Sequence, residues 1–169
     1  MGGSGMNRKK LTALTIALCL LLPSLAGCAQ EEKPAVSMYD LSRVMLAADD
    51  TLPEMSFVSS SDDNASELFG YLSDLDYALV DSYFLSYSSK GLADEIAVVA
   101  LKDAADAAAA AKTIEAHVQN RAAMYRQYDP TQTDRAEGAL VFTSGRYAVL
   151  IISEKQKDVK TAFDAFMKE

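Results

Sequence analysis

The chain has 169 residues, 16 Lys and Arg against 24 Asp and Glu, and half of its residues are hydrophobic. That length and apolar content are enough for one domain to bury a core without disulfides or metals, and a formal net charge of −8 argues against nucleic acid as a partner.

Met1-Gly2-Gly3-Ser4-Gly5 precedes Met6, which reads as the natural start, so residues 1–5 are set apart as a misassigned start or an appended scar. Asn7, Arg8, Lys9 and Lys10 form a short positive region, and residues 11–22 are an uncharged, mostly aliphatic run. The run falls within the roughly 7–15 residues of a secretory signal and short of the about 20 that a spanning helix needs. Pro23 and Gly27 interrupt its helical continuation, and the small Ala26 and Gly27 suit a signal-peptidase pocket, so residues 6–27 are read as a signal peptide.

Leu25-Ala26-Gly27-Cys28 resembles the lipobox of bacterial lipoproteins. The resemblance implies cleavage between Gly27 and Cys28, a diacylglyceryl group on the Cys28 thiol and acylation of the new amino terminus. Membrane lipid is then the first partner, reached through acylated Cys28, and the expected location is the extracytoplasmic face of the cell membrane. Two or three acyl chains suffice for stable anchoring, since each buried methylene adds about 0.8 kcal/mol.

Removal of Arg8, Lys9 and Lys10 with the signal leaves residues 28–169 with 13 bases against 24 acids, a net charge of −11. Anionic headgroups repel such a chain, so acyl chains rather than a basic patch are expected to hold it. The charge is uneven: residues 31–106 carry 16 acids against Lys33, Arg43, Lys90 and Lys102, whereas residues 107–169 carry 8 acids and 9 bases. A solvated face is the favoured reading of the acidic half, against a site for a cationic partner or divalent ion. Cys19 leaves with the signal and Cys28 is modified, so no thiol remains for catalysis, redox chemistry or a disulfide.

Residues 28–37 are the lipidated Cys and a polar tether, and residues 38–169 a single α+β domain. Ser37 followed by Asp40 predicts a capped helix over 38–48, with Met38, Leu41, either Val44 or Met45, and Ala48 on one side, ended by Asp49, Asp50 and Pro53. Residues 55–63 are serine-rich and read as loop, with Phe57-Val58 extended at most. Asp62-Asp63-Asn64 starts a short second helix carrying Leu68, Phe69 and Leu72. With Glu67 these acids have neither the alternation nor the central Gly of a calcium loop, so helix capping is preferred. Asp74 and Asp76 are read as turn residues rather than an acid–base pair, because no His or third ligand is near them in sequence.

Residues 79–87 predict a strand with Tyr83, Leu85 and Tyr87 on one face and Phe84, Ser86 and Ser88 on the other. Lys90-Gly91 turns the chain into a second strand over 95–101, whose nearly continuous apolar run suits the middle of a sheet. Residues 103–127 are the longest helix: Asp103 and Asp106 cap it, and Ala107, Ala111, Ile114, Val118, Ala122 and Tyr125 make its buried stripe. Arg121 and Arg126 suit the dipole near its end, and Asp129-Pro130 stops it. Residues 139–142 and 146–152 predict a hairpin about Ser144-Gly145, and residues 157–168 a last helix presenting Val159, Ala162, Phe163 and Phe166. The expected fold is therefore α+β, two N-terminal helices followed by a ββα-ββα arrangement with a four-stranded antiparallel sheet packed by helices.

The succession Glu95-Ile96-Ala97-Val98, an Ala-rich helix with Arg121, Tyr128-Asp129-Pro130, and Gly145-Arg146-Tyr147-Ala148-Val149-Leu150 resembles a family of small Gram-positive lipoproteins built on a domain of unknown function. The resemblance spans about residues 40–168 and supports a lipoprotein and an α+β fold. It supplies no catalytic or ligand residues.

No catalytic, cofactor or metal residue is assigned. His117, the one histidine, lies beside Ile114 and Val118 on the long helix and reads as packed rather than as a general base. Ser86, Ser88 and Ser89 beside Lys90 match no Ser–Lys nucleophile spacing and read as a polar hairpin loop. Tyr83, Tyr87, Tyr125, Tyr128 and Tyr147 are core or rim aromatics. The expected function is a noncatalytic binding or protein-interaction module, with an envelope protein as candidate partner. The alternatives are a small-ligand or cation-binding accessory of a transporter and, last, a cell-envelope enzyme in which the fold brings Asp74 and Asp76 beside His117 or Arg121.

Overall fold

Ser37 opens the first helix of the computed structural model, which describes residues 1–2 and 36–168. The signal, the lipobox with Gly27 and Cys28, and most of the tether lie outside the described residues. The Ser37 hydroxyl accepts from the Asp40 N–H at 3.2 Å and so satisfies one of the unpaired donors of α1 (Met38–Ala47). Met38 and Leu41 are buried along it, and of the two residues that the spacing left open Met45 is buried while Val44 is exposed.

The next segment corrects the sequence reading. Residues Met55–Ser59 form a strand, β1, and do not remain a loop. Ser56 and Ser59 in a strand of five residues hide it from a hydrophobicity pattern, because an edge strand buries little of its side-chain surface and is held by its neighbour's backbone. Asp62, expected to cap the following helix, instead accepts from the Ser59 N–H at 2.6 Å and closes the turn out of β1. The helix itself, α2 (Ala65–Phe69), starts from Asn64 without a side-chain cap.

β2 (Val80–Ser88) and β3 (Glu95–Leu101) form the expected hairpin, with Gly91 at φ 75° in its loop. A one-turn 3₁₀ segment capped by the Asp103 carboxylate leads into α3 (Ala107–Tyr128), which buries the predicted stripe together with Ala110. A short helix that the pattern did not announce, α4 (Thr133–Glu137), follows Pro130. β4 (Leu140–Ser144) and β5 (Tyr147–Ile152) turn about Gly145-Arg146, one residue later than expected, with Gly145 at φ 55°. The positive φ is what a two-residue hairpin turn requires at this position. α5 (Gln156–Phe166) closes the described chain.

The sheet thus has five antiparallel strands, not four, in the order β1-β2-β3-β5-β4. Its two faces are covered by different helices. Tyr83, Leu85, Val99 and Leu150 pack under α3 and α2 with Ile114 and Phe69, whereas Phe84, Val98, Val149 and Ile151 pack under α1 and α5 with Met45 and Phe163. All residues of β3 and β5 are buried, which is why both read as unbroken apolar runs. Neither central strand leaves an apolar face open.

Candidate functional site

Glu95 begins β3 and pairs in register with Tyr87 of β2, on the face that α3 covers. Its side chain is only 2% exposed. A carboxylate so far from water needs partners, and α3 supplies them from two consecutive turns. His117 Nε2 lies 2.8 Å from Oε1, donating its proton to the carboxylate, and Arg121 Nε lies 3.0 Å from Oε2. The Arg121 Nε–H is buried and not aligned on any acceptor, so that second contact is an ion pair rather than a hydrogen bond.

The network continues along α3. Arg121 Nη2 donates to the Tyr125 hydroxyl at 3.1 Å and reaches the Leu92 carbonyl at 3.4 Å, and the Tyr125 hydroxyl donates to the Gly91 carbonyl at 3.1 Å. Burial pushes the Tyr125 phenol up from its ordinary value against the pull of Arg121, which keeps it a donor. The β2–β3 loop is therefore tied to α3 through a chain of polar side chains running from Glu95. Asp94, also buried, turns instead to Arg135 of α4 at 2.7 Å.

Beside this network is a cleft of about 310 Å³. Val58 of β1, Leu68 of α2 and Leu85 of β2 give it apolar walls, Tyr71 and Tyr87 flank it, and Glu95, His117 and Arg121 supply its polar surface. A second, smaller depression of about 190 Å³ adjoins it, lined by Ser73, Asp74, Thr113 and Asn120 and sharing Tyr71 and His117. Ser73 and Thr113 hydroxyls are 2.6 Å apart across that depression, linking the chain after α2 to α3.

The residues singled out in the sequence are thereby placed. His117 is packed, with 16% of its side chain exposed, and a carboxylate does meet it, but that carboxylate is Glu95 and not Asp74 or Asp76. Asp74 lines the smaller depression, and Asp76 caps the turn before β2 through the Ala78 N–H. Arg121 faces inward to Glu95 rather than serving the helix end, while Arg126 pairs with Glu137. Ser88 accepts from the Lys90 and Leu92 N–H groups, Ser89 donates to the Glu54 carbonyl and Lys90 pairs with Glu54, so these residues shape a loop and form no nucleophile pair. Tyr83, Tyr125 and Tyr147 are buried, Tyr87 lies at the cleft and Tyr128 is 71% exposed. Asp62, Asp63 and Glu67 do not converge, and among the described residues no three His, Cys, Asp or Glu side chains are grouped to hold a metal ion. Sequence reasoning missed Glu95 because it was read only as the first residue of a strand. Its signal was an acid at the head of an otherwise wholly apolar run.

The profile of a family described as a domain of unknown function, DUF4358, matches residues 55–153. The chain belongs to this family. The DUF4358 match begins with β1 and ends just after β5, so it takes in the whole sheet, α3 and every residue of the cleft, while α1 and α5 lie outside it. No curated protein and no solved structure matches the chain. Among the described residues no helix is long and apolar enough to cross a membrane.

Proposed function

We propose that the chain is a noncatalytic binding module, held at the extracytoplasmic face of the cell membrane through acylated Cys28, whose site is the cleft between β1, β2, α2 and α3. The cleft is the observation that carries the site: a concave, largely apolar volume of about 310 Å³ with a few fixed polar groups is the usual form of a small-molecule site. Both faces of the sheet are occupied by helices, which favours a small ligand over a protein docked on the sheet. The anchor rests on the basic region, the apolar run and Leu25-Ala26-Gly27-Cys28 in the sequence.

A carboxylate that holds one nitrogen of a histidine also orients general bases in enzymes. Here the same carboxylate is shared with Arg121, and among the described residues the hydroxyls lining the larger cleft are those of Tyr71 and Tyr87, so the pair is read as the fixed floor of a binding site.

Two experiments test the two halves. Fatty-acid labelling in growing bacteria, followed by fractionation, is expected to mark the native protein in the membrane and to leave Cys28→Ala unlabelled; an unlabelled native protein overturns the anchor. For the site, full-length native protein in detergent is screened by NMR against a diverse small-molecule set. Ligands that move the Tyr71, Tyr87 and His117 signals are expected, and a set that leaves all three unmoved overturns the cleft as the site. Crosslinking in intact cells that recovers one dominant envelope protein through the cleft residues replaces the small ligand with a protein partner.

A further inference from the structure

Resting on the cleft as the binding site, we infer that its ligand is a small amphipathic amine, with an apolar body between Leu68 and Leu85 and a cationic head beside Asp74. The larger cleft and the smaller depression share Tyr71 and His117, so they adjoin at these two side chains and offer a ligand lying across them two chemically distinct ends. One end is walled by Val58, Leu68 and Leu85 and takes apolar surface; the other presents Ser73, Asp74, Thr113 and Asn120 and takes a polar group.

The charge pattern selects the sign of that group. Among the described residues Arg121 is the one Lys or Arg side chain lining either part, and Glu95 neutralises it at 3.0 Å. Asp74 is exposed, and among the described residues its carboxylate has no ion-pair partner. An anionic head placed there would meet a carboxylate with no cation beside it, whereas an ammonium gains a charge-assisted hydrogen bond. The Tyr71 ring at the junction adds a surface that a cation favours. The excess of acids over bases in the chain as a whole raises the local concentration of cations in the same sense.

The test compares three molecules with the same ring and different heads, 2-phenylethylamine, 2-phenylethanol and 3-phenylpropanoate, titrated into full-length native protein in detergent and followed at the Tyr71, Tyr87 and His117 NMR signals. The amine is expected to bind at least tenfold more tightly than the carboxylate, with the alcohol between them. Asp74→Asn, a change at an exposed position that leaves folding intact, is expected to remove the preference while all three still bind. Equal affinities, or a preference that survives Asp74→Asn, overturn the amine assignment and leave the cleft standing as a site. Silence from all three also overturns it. The cleft itself falls only if the diverse set described above leaves the same signals unmoved.

Discussion

Glu95 Oε1 sits 2.8 Å from His117 Nε2, and with Arg121 on its other oxygen this carboxylate joins the head of β3 to the middle of α3. Glu95→Ala leaves the Arg121 guanidinium largely buried without its counter-ion. Removing one partner of such a pair is expected to cost about 3–5 kcal/mol, read from urea unfolding of the full-length protein. Glu95→Gln keeps an acceptor for His117 and is expected to fall between the native protein and Glu95→Ala. A loss below about 1 kcal/mol in Glu95→Ala, the range of exposed pairs, would show that the network is solvated.

Asp49 ties α1 to α5. Its Oδ1 accepts from the Thr51 N–H at 2.8 Å and the Thr51 hydroxyl at 2.6 Å, and its Oδ2 accepts from the Lys155 N–H at 2.9 Å. Burial pushes the Asp49 carboxyl up, but these hydrogen bonds outweigh it and hold the group at about 2, below its ordinary 3.8. A carboxyl depressed in the folded state stabilises the protein above its unfolded value, and that contribution is lost as pH falls from about 4 through about 2. Asp49→Asn is expected to cost about 2 kcal/mol at pH 7 and to flatten the acid limb of stability against pH.

Tyr83, fully buried between the sheet and α2, donates its hydroxyl to the Ala65 carbonyl at 2.7 Å. Burial, with Tyr77 and Asp62 nearby, pushes its phenol up to about 12 from 10.0. A group raised in the folded state contributes fully below its unfolded value, so the stabilisation is present up to about pH 10 and is lost as pH rises through about 12. Phenolate absorbance during alkaline titration is expected to show Tyr83 and Tyr125 ionising after the other tyrosines, and Tyr83→Phe to remove one of the two. The same variant removes the hydroxyl bond to the Ala65 carbonyl and is expected to cost about 1 kcal/mol.

Leu68→Trp places an indole at the wall of the cleft, in a protein without tryptophan. The open volume accommodates the added atoms, so stability is expected to change by about 1 kcal/mol or less. Binding of any ligand at the cleft is expected to fall at least tenfold, and the new fluorescence to report a partly dry environment. Unchanged binding would move the site elsewhere.

The regular elements were legible wherever one periodicity ran long enough to dominate. α3 announced itself by Ala107, Ala111, Ile114, Val118, Ala122 and Tyr125, and β3 and β5 by apolar runs that only a sheet covered on both faces explains. β1 was not legible, because Ser56 and Ser59 say nothing about burial and the strand exists through its register with β2. α4 failed for a related reason: five residues behind Pro130 carry too little pattern to reveal a helix.

By itself the sequence determined the order of the main elements, the faces of β2 and the stripe of α3, and it carries the lipobox resemblance at Cys28 as an expectation. These are local properties, set by which residues recur at spacing two or four and by short motifs read along the chain. The tertiary structure alone decided that Glu95 meets His117 and Arg121, that Asp74 shares a recess with His117, and that separate helices close the two faces of the sheet. Contacts across 22 residues and across a sheet depend on register and on which side each helix takes, and neither is written in the spacing of any one segment.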